Sequence, residues 1–307
     1  MKHNHIFIQC ASYRDTELKP TIKSAIDNAD NPANVSFGIC LQGELSEIKR
    51  DLPSKYIKQC RMVFIHHKIS KGIGYARQKA QMMFEEEEYS LQIDSHMRFM
   101  PRWDTMCINM LKKCPSKKPL LTAYLTDYAI DEEPGCWRLG IEDFDEDGNI
   151  IVTGVDVIKN ETKPSLGILV SGHFVFAKSE LFKEVPVDPN MPFLYEESLF
   201  APRAWTSGWD IYYPHKAPLQ HKWNRSYRNL NWNDRDTTEE EQYGKRLYRQ
   251  LVGIEPGFHN FGVYGMGNTR SLEDYELFSG INFKDQFVTE DAQLGLPAKN
   301  IAVLRRP

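Results

Sequence analysis

An α/β fold built on a largely parallel sheet is predicted by two features of the first half of the chain. Short apolar runs alternate there with segments whose apolar residues recur at helical spacing. Residues able to do chemistry follow directly after the apolar runs, where the strands of such a sheet end and ligands bind.

The elements follow in order. Residues 6–11 (Ile-Phe-Ile-Gln-Cys-Ala) have the near-continuous apolarity of a buried strand. Pro20 suits the first position of a helix, and Ile22, Ala25, Ile26 and Ala29 continue it until Asn31-Pro32. Residues 35–41 and 62–65 read as a second and a third strand. Gly72-Ile73-Gly74 opens a helix with Ala76, Ala80, Met83 and Phe84 on one face, closed by the acidic run 85–88. Tyr89, Leu91 and Ile93 then alternate with Ser90 and Gln92, as in a strand that runs into Asp94-Ser95-His96. A helix carrying Trp103, Met106, Cys107, Met110 and Leu111 comes next.

From about 125 to 164 the pattern loosens around Asp131-Glu132-Glu133-Pro134 and the acidic stretch 142–147. Asp147-Gly148 between apolar residues is a hairpin-turn pair, and the stretch reads as an insertion over the sheet that covers a ligand. Strand character returns at 166–170 and 173–177. A helix starts near Glu196 with Leu199, Arg203, Ala204 and Trp205, and 210–213 is a last short strand. Trp205 and Trp209 read as core. This gives a main domain over residues 1–229 and a C-terminal extension over 230–307 packed on it. In the extension Thr238 and Glu241 have capping-box spacing, 258–268 is rich in Gly and aromatics, and Ser271 with Asp274 marks another helix start.

The bulk composition narrows the function classes. The 307 residues are 41% hydrophobic and 26% charged, enough for a large core. A net charge of -4 gives no basic field to draw nucleic acid or an anionic membrane. No apolar stretch approaches the ~18 residues that span a bilayer, and the run at 6–11 is too short for a signal-peptide core. Cys10, Cys40, Cys60, Cys107, Cys114 and Cys136 are scattered with no CxxC pair, as expected of free thiols in a reducing compartment. A cytoplasmic protein is expected.

Asp94 and His96 are the centre of the functional reading. Two residues apart at a strand end, they can face one point, where a carboxylate and an imidazole share a divalent cation and phosphate oxygens complete its shell. Few protein ligands plus phosphates suit Mg²⁺ or Mn²⁺. The imidazole tilts the choice to Mn²⁺, with Zn²⁺ still open. His221, in Leu219-Gln220-His221-Lys222-Trp223, is a candidate third ligand, with His66, His67, His173 and His215 as rivals. The glycines at 72 and 74 allow a phosphate to approach a helix N-terminus, and Arg77 can add a bidentate contact. Glu196 and Glu197 either hydrogen-bond sugar hydroxyls or simply suit a first helical turn.

These residues carry a resemblance. Ala11-Ser12-Tyr13-Arg14-Asp15, the block Lys71 to Gln81, and Gln92-Ile93-Asp94-Ser95-His96-Met97-Arg98-Phe99 resemble motifs of the GlcNAc-type glycosyltransferase family. So do Glu196-Glu197 with Leu199 to Pro214, His221 to Tyr227, and Tyr264 to Phe283, in the same order and spacing. Ile73 stands where the family has proline, and Leu194-Tyr195 where it has Phe-Gly. The family's best-known members are cytoplasmic enzymes that attach N-acetylglucosamine to hydroxyproline, with relatives in bacteria and others acting on mucin threonines. The resemblance implies a GT-A fold, a UDP-sugar donor (UDP-GlcNAc foremost), a protein or glycan hydroxyl acceptor, and retention of configuration. It implies a DXD-like metal site of Asp94 and His96 with His221 third. It also implies nucleotide contacts from Ala11, Tyr13 and Arg14, and a diphosphate contact from Arg77. A bacterial surface-polysaccharide transferase is an alternative. A non-catalytic nucleotide-sugar-binding protein and a metal-dependent phosphohydrolase are the rival classes.

Overall fold

The computed structural model describes residues 2–51, 53–130, 132–257 and 259–299, so the expectations placed on Asp131, Phe258 and 300–307 lie outside the described residues. In chain order the main elements are β1 (Lys2–Tyr13), α1 (Leu18–Asp27), β2 (Val35–Gly43), α2 (Leu45–Asp51), β3 (Cys60–His66), α3 (Gly72–Gln81), β4 (Glu87–Asp94), β5 (Met97–Phe99), α4 (Trp103–Lys112) and β6 (Pro119–Thr122). Then come β7 (Tyr124–Leu125), β8 (Cys136–Phe144), β9 (Ile150–Val157), β10 (Ser165–Leu166), β11 (Phe174–Lys178), α5 (Glu180–Glu184), α6 (Tyr195–Thr206), β12 (Asp210–Tyr213) and β13 (Leu219–His221). The C-terminal part adds α7 (Asn231–Asp234), α8 (Thr238–Leu251), α9 (Leu272–Ser279), β14 (Ile281–Asn282), β15 (Phe287–Val288) and α10 (Glu290–Gln293).

Eight strands form one sheet in the order β10-β12-β6-β11-β4-β1-β2-β3. β1 pairs in parallel with both β2 and β4, β2 with β3, and β6 with β12, whereas β11 and β10 run antiparallel to their neighbours. The chain steps outward from β1 to β3 and returns with β4 on the other side of β1. That reversal opens a crevice at the carboxyl ends of β1 and β4, which end on Tyr13 and Asp94. β1 is longer than its apolar run and stops where Arg14 takes a φ of 46°.

Several elements differ from their sequence expectation. α1 starts at Leu18, so Pro20 is its third residue; a first-turn N–H has no helical partner, so the ring costs no hydrogen bond there. α3 ends at Gln81, and Met83 and Phe84 lie in the turn beyond it, with Phe84 edge-on to Phe7 at 5.8 Å. Glu87 and Glu88 do not cap a helix but open β4 as buried carboxylates. Arg61 and Ser36 hold Glu87, while the Asn4 N–H and His3 hold Glu88. Ile168, Leu169 and Val170 are buried without belonging to a strand, so packing accounts for their apolarity. Thr237, not Thr238, is the N-cap of α8, and its hydroxyl donates to Glu241.

The insertion is a three-stranded antiparallel sheet, β7-β8-β9, whose β8–β9 hairpin turns at Gly148 with φ 80°. Its packing partners are C-terminal: Tyr248 donates to the Gly148 carbonyl at 3.1 Å, and Gly140 sits against the Gln293 carbonyl. One apolar core runs through both halves, joining Ile8, Leu91 and Trp103 to Tyr248, Tyr275 and Phe283. α9 opens with the reciprocal Ser271–Asp274 capping box. All six cysteines are free, and no helix among the described residues is long and apolar enough to cross a membrane.

Candidate metal centre and donor cleft

Asp94 is the last residue of β4, and Ser95-His96 forms a two-residue bend into β5. The bend is pinned by Thr21, whose hydroxyl donates to the Ser95 carbonyl at 2.8 Å and accepts from the Met97 N–H at 2.9 Å. β5 pairs antiparallel with β13, Met97 opposite His221, and the Lys222 N–H donates to the His96 carbonyl at 3.1 Å. This pairing carries a histidine from far along the chain to the end of β4. Asp94 Oδ2 lies 3.3 Å from His221 Nε2 and 3.6 Å from His96 Nε2, and the three ligand atoms all lie within 4.8 Å of one another. His173 stacks on His221 at 4.3 Å but adds no ligand to this group, and neither do His66, His67 or His215.

The two imidazoles are oriented by different means. His96 Nδ1 is 2.8 Å from Asp15 Oδ2, a carboxylate with no exposure that also accepts from Ser95 Oγ at 2.6 Å. Burial would raise the Asp15 carboxyl, but His96, Arg228 and Ser95 outweigh it and hold it at about 2. His221 is instead held by its rings of neighbours, His173 on one side and Trp223 edge-on at 4.5 Å. Burial brings the His221 imidazole down to about 4 in spite of Asp94, so it is neutral, the form that donates a lone pair. Burial also opposes ionisation of Asp94, yet His221, His96 and Arg77 keep it well below the usual carboxylate range.

This donor set fits a divalent cation. With Nδ1 committed to Asp15, His96 Nε2 is left buried without a hydrogen-bond partner and faces an ionised carboxylate and a neutral imidazole. A carboxylate behind a ligating histidine is the usual outer support of a metal site. Two nitrogens and one oxygen make a set that suits the later divalent metals better than Mg²⁺.

Arg77 stands beside the three ligands on α3. Its guanidinium is buried, 3.1 Å from Asp94 Oδ1 and ion-paired with Glu196. Gly172 makes room for this cluster: a Cβ there would lie 2.4 Å from both Arg77 Nη1 and Glu197 Oε1. Burial raises the Glu196 carboxyl and Arg77 pulls it back down, and the same two influences act on Glu197. Both glutamates line a narrow pocket behind Arg77, not the main cleft.

The main cleft, ≈ 940 Å³ including the solvent at its mouth, sits at the crevice between β1 and β4. Ala11, Tyr13, Arg77, Asp94 and His96 line it, as do Phe193 and Trp232, whose rings are 5.7 Å apart. Arg14 is not on its wall; it is clamped between Glu47 and Asp234. Gly72, with φ 88° and nothing within 4 Å of a built Cβ, opens toward the cleft, whereas a Cβ on Gly74 would strike the Asp188 and Met191 carbonyls. No described residue of 125–164 lines the cleft; the hairpin is held on the C-terminal helices instead.

A family model described as Glycosyltransferase (GlcNAc) matches residues 5–56 and 48–285. The chain belongs to this glycosyltransferase family. No curated protein matches it. Among solved structures, that of GalNAc-T7 with UDP, GalNAc and Mn²⁺ is similar at a TM-score of 0.58 and 13% identity, over 89% of this chain and 53% of that one. S. aureus TarS 1-349 in complex with UDP-GlcNAc is similar at 0.50 and 12%, over 83% and 68%. The chain thus spans about half the length of the GalNAc-T7 chain, and these likenesses show a shared GT-A fold.

Two parts of this glycosyltransferase's site leave little mark in the sequence. Asp15, a lone acid after a strand, carries no periodic signal. Leu230, Trp232, Arg235 and Glu240, in the segment that follows the main domain, line the cleft. A lone tryptophan within the polar stretch 229–236 is the one sequence signal that points there.

Proposed function

We propose that this glycosyltransferase moves N-acetylglucosamine from UDP-GlcNAc to a hydroxyl acceptor, a hydroxyproline or threonine of a protein or a glycan, with retention and with Mn²⁺ as its cation. One observation carries the reading: at the sheet's switch point a neutral imidazole, a second imidazole with an unpartnered Nε2 and an ionised carboxylate converge, the last two on the wall of the main cleft. The complexes named for GalNAc-T7 and TarS, with UDP and with UDP-GlcNAc, support the donor. The free cysteines are in keeping with a cytoplasmic setting.

Asp94, His96 and His221 would hold the cation, which supplies Lewis-acid neutralisation of the departing diphosphate. Ala11 and Tyr13 face the nucleotide, and the ring of Trp232 gives it an apolar wall. Arg77 orients Asp94 and adds fixed positive charge beside the diphosphate. Glu196 anchors Arg77, and Glu197, the less buried of the two, lines the pocket behind Arg77, which a sugar or acceptor hydroxyl would have to enter to meet it.

A panel of nucleotide sugars with Mn²⁺, scored for donor hydrolysis, tests this without an acceptor. UDP-GlcNAc is expected to turn over fastest, and Asp94→Ala to stop turnover with the melting curve preserved. Full activity in the Asp94 variant, or turnover of every donor except UDP-sugars, defeats the reading.

A further inference from the structure

The segment after His221 turns back across the end of β1. There the Tyr227 hydroxyl donates to Asp15 Oδ1 at 3.0 Å, and Arg228 Nε lies 3.3 Å from Asp15 Oδ2. Arg228 Nη1 also donates to the Tyr13 carbonyl at 3.1 Å. Farther along, Asp234 accepts from the Tyr13 hydroxyl at 2.8 Å and from Arg14 Nη1 at 2.7 Å. Asp15 itself has no exposed side-chain surface. Its five partners are Ser95 and His96 on the metal side, the Glu17 N–H at 2.9 Å, and Tyr227 and Arg228 on the segment.

A carboxylate enclosed this completely keeps one orientation only while its lone pairs are matched. Taking away Tyr227 leaves only the Glu17 N–H on Oδ1, and taking away Arg228 removes the one cation at Oδ2; Asp15 then settles between fewer donors, and its hold on the His96 ring loosens. We propose that Tyr227 and Arg228 are positioning residues for the cation. Docking of the 227–234 segment on β1 aims Asp15, and Asp15 aims His96 Nε2. The stretch that brings Trp232 to the cleft therefore also sets how tightly the cation is held. This rests on the metal-dependent reading above.

The test is Mn²⁺ affinity of the full chain without nucleotide, followed by the EPR signal of the free ion. Tyr227→Phe and Arg228→Met are each expected to weaken binding about tenfold, the usual effect of losing an outer-shell partner, Tyr227→Phe with the melting curve little changed and Arg228→Met with a lower midpoint, because it leaves the buried Asp15 without its cation. Arg228→Lys restores most of the affinity. In an Asp15→Asn background Tyr227→Phe adds nothing, because the link it acts through is already broken. Wild-type affinity in both Tyr227→Phe and Arg228→Met, or simple additivity with Asp15→Asn, overturns the inference alone. A wild-type chain that takes up no Mn²⁺ overturns the metal reading and this inference with it.

Discussion

Arg77 is the residue on which the charge balance of the site turns. It is buried, with Asp94 and Glu196 in contact and Glu197 close by. Removing one member of such a buried group strands the others, at a cost of roughly 3–5 kcal/mol. Arg77→Met is therefore expected to lower unfolding free energy by that order in urea titration, and Glu196→Gln in the same chain to recover part of it. A variant as stable as wild type shows the cluster to be less enclosed than described. Side chains of this kind were unevenly legible. Asp94 and His96 could be picked out because a strand end projects them together. Arg14 was expected at the nucleotide, but the positive φ that turns it toward Glu47 and Asp234 leaves no mark in sequence. The run 85–88 reads in sequence as the close of a helix, because nothing local announces Arg61 or the Asn4 N–H as partners of Glu87 and Glu88.

At the scale of elements, the loop around 188–192 is fitted between two helices by two glycines. A Cβ on Gly74 of α3 would lie 2.5 Å from the Asp188 carbonyl, and one on Gly244 of α8 would lie 2.2 Å from Pro192 Cδ. Neither can be relieved by a flexible side chain. Gly74→Ala and Gly244→Ala should each cost about 1–3 kcal/mol through overpacking and raise the KM for donor, since the displaced loop carries Asn190, Met191 and Phe193 into the cleft. Unchanged KM in both would separate the loop from donor binding. The opening of β4 gives a pH signature. Burial raises the Glu87 carboxyl, but Arg61 and Ser36 outweigh it and hold it at about 2, below the ordinary 4.5. A depressed carboxyl stabilises the folded state above its unfolded value and loses that effect as pH falls toward the folded one. Glu87→Gln should thus melt below wild type at pH 7, with the gap narrowing between about 4.5 and 2. A gap that stays constant across that range contradicts the ion pair.

At the scale of the whole molecule, the parallel half of the sheet was readable because its helix and strand periods alternate cleanly. The antiparallel entry of β11 between β4 and β6 was not, since strand direction is set by where the connections run. The C-terminal part was the least legible. Its helices share the core of the sheet, and its first turns reach the cleft through Asp234, Tyr13 and Trp232. Asp234→Ala, which frees both Tyr13 and Arg14, is expected to raise the donor KM about tenfold, near the loss of one charge-assisted hydrogen bond, and to change kcat little. A fall in kcat alone would place Asp234 in the chemistry instead.

The division of Asp94 has a practical outcome. One oxygen faces a guanidinium supplied by the protein, and the other faces the two histidines. The carboxylate is therefore neutralised within the fold whether or not an ion is bound, and one of its imidazole neighbours carries no charge of its own. Dialysis against EDTA should silence donor hydrolysis yet leave the thermal midpoint where it was. Activity should then return on adding Mn²⁺ with no refolding step.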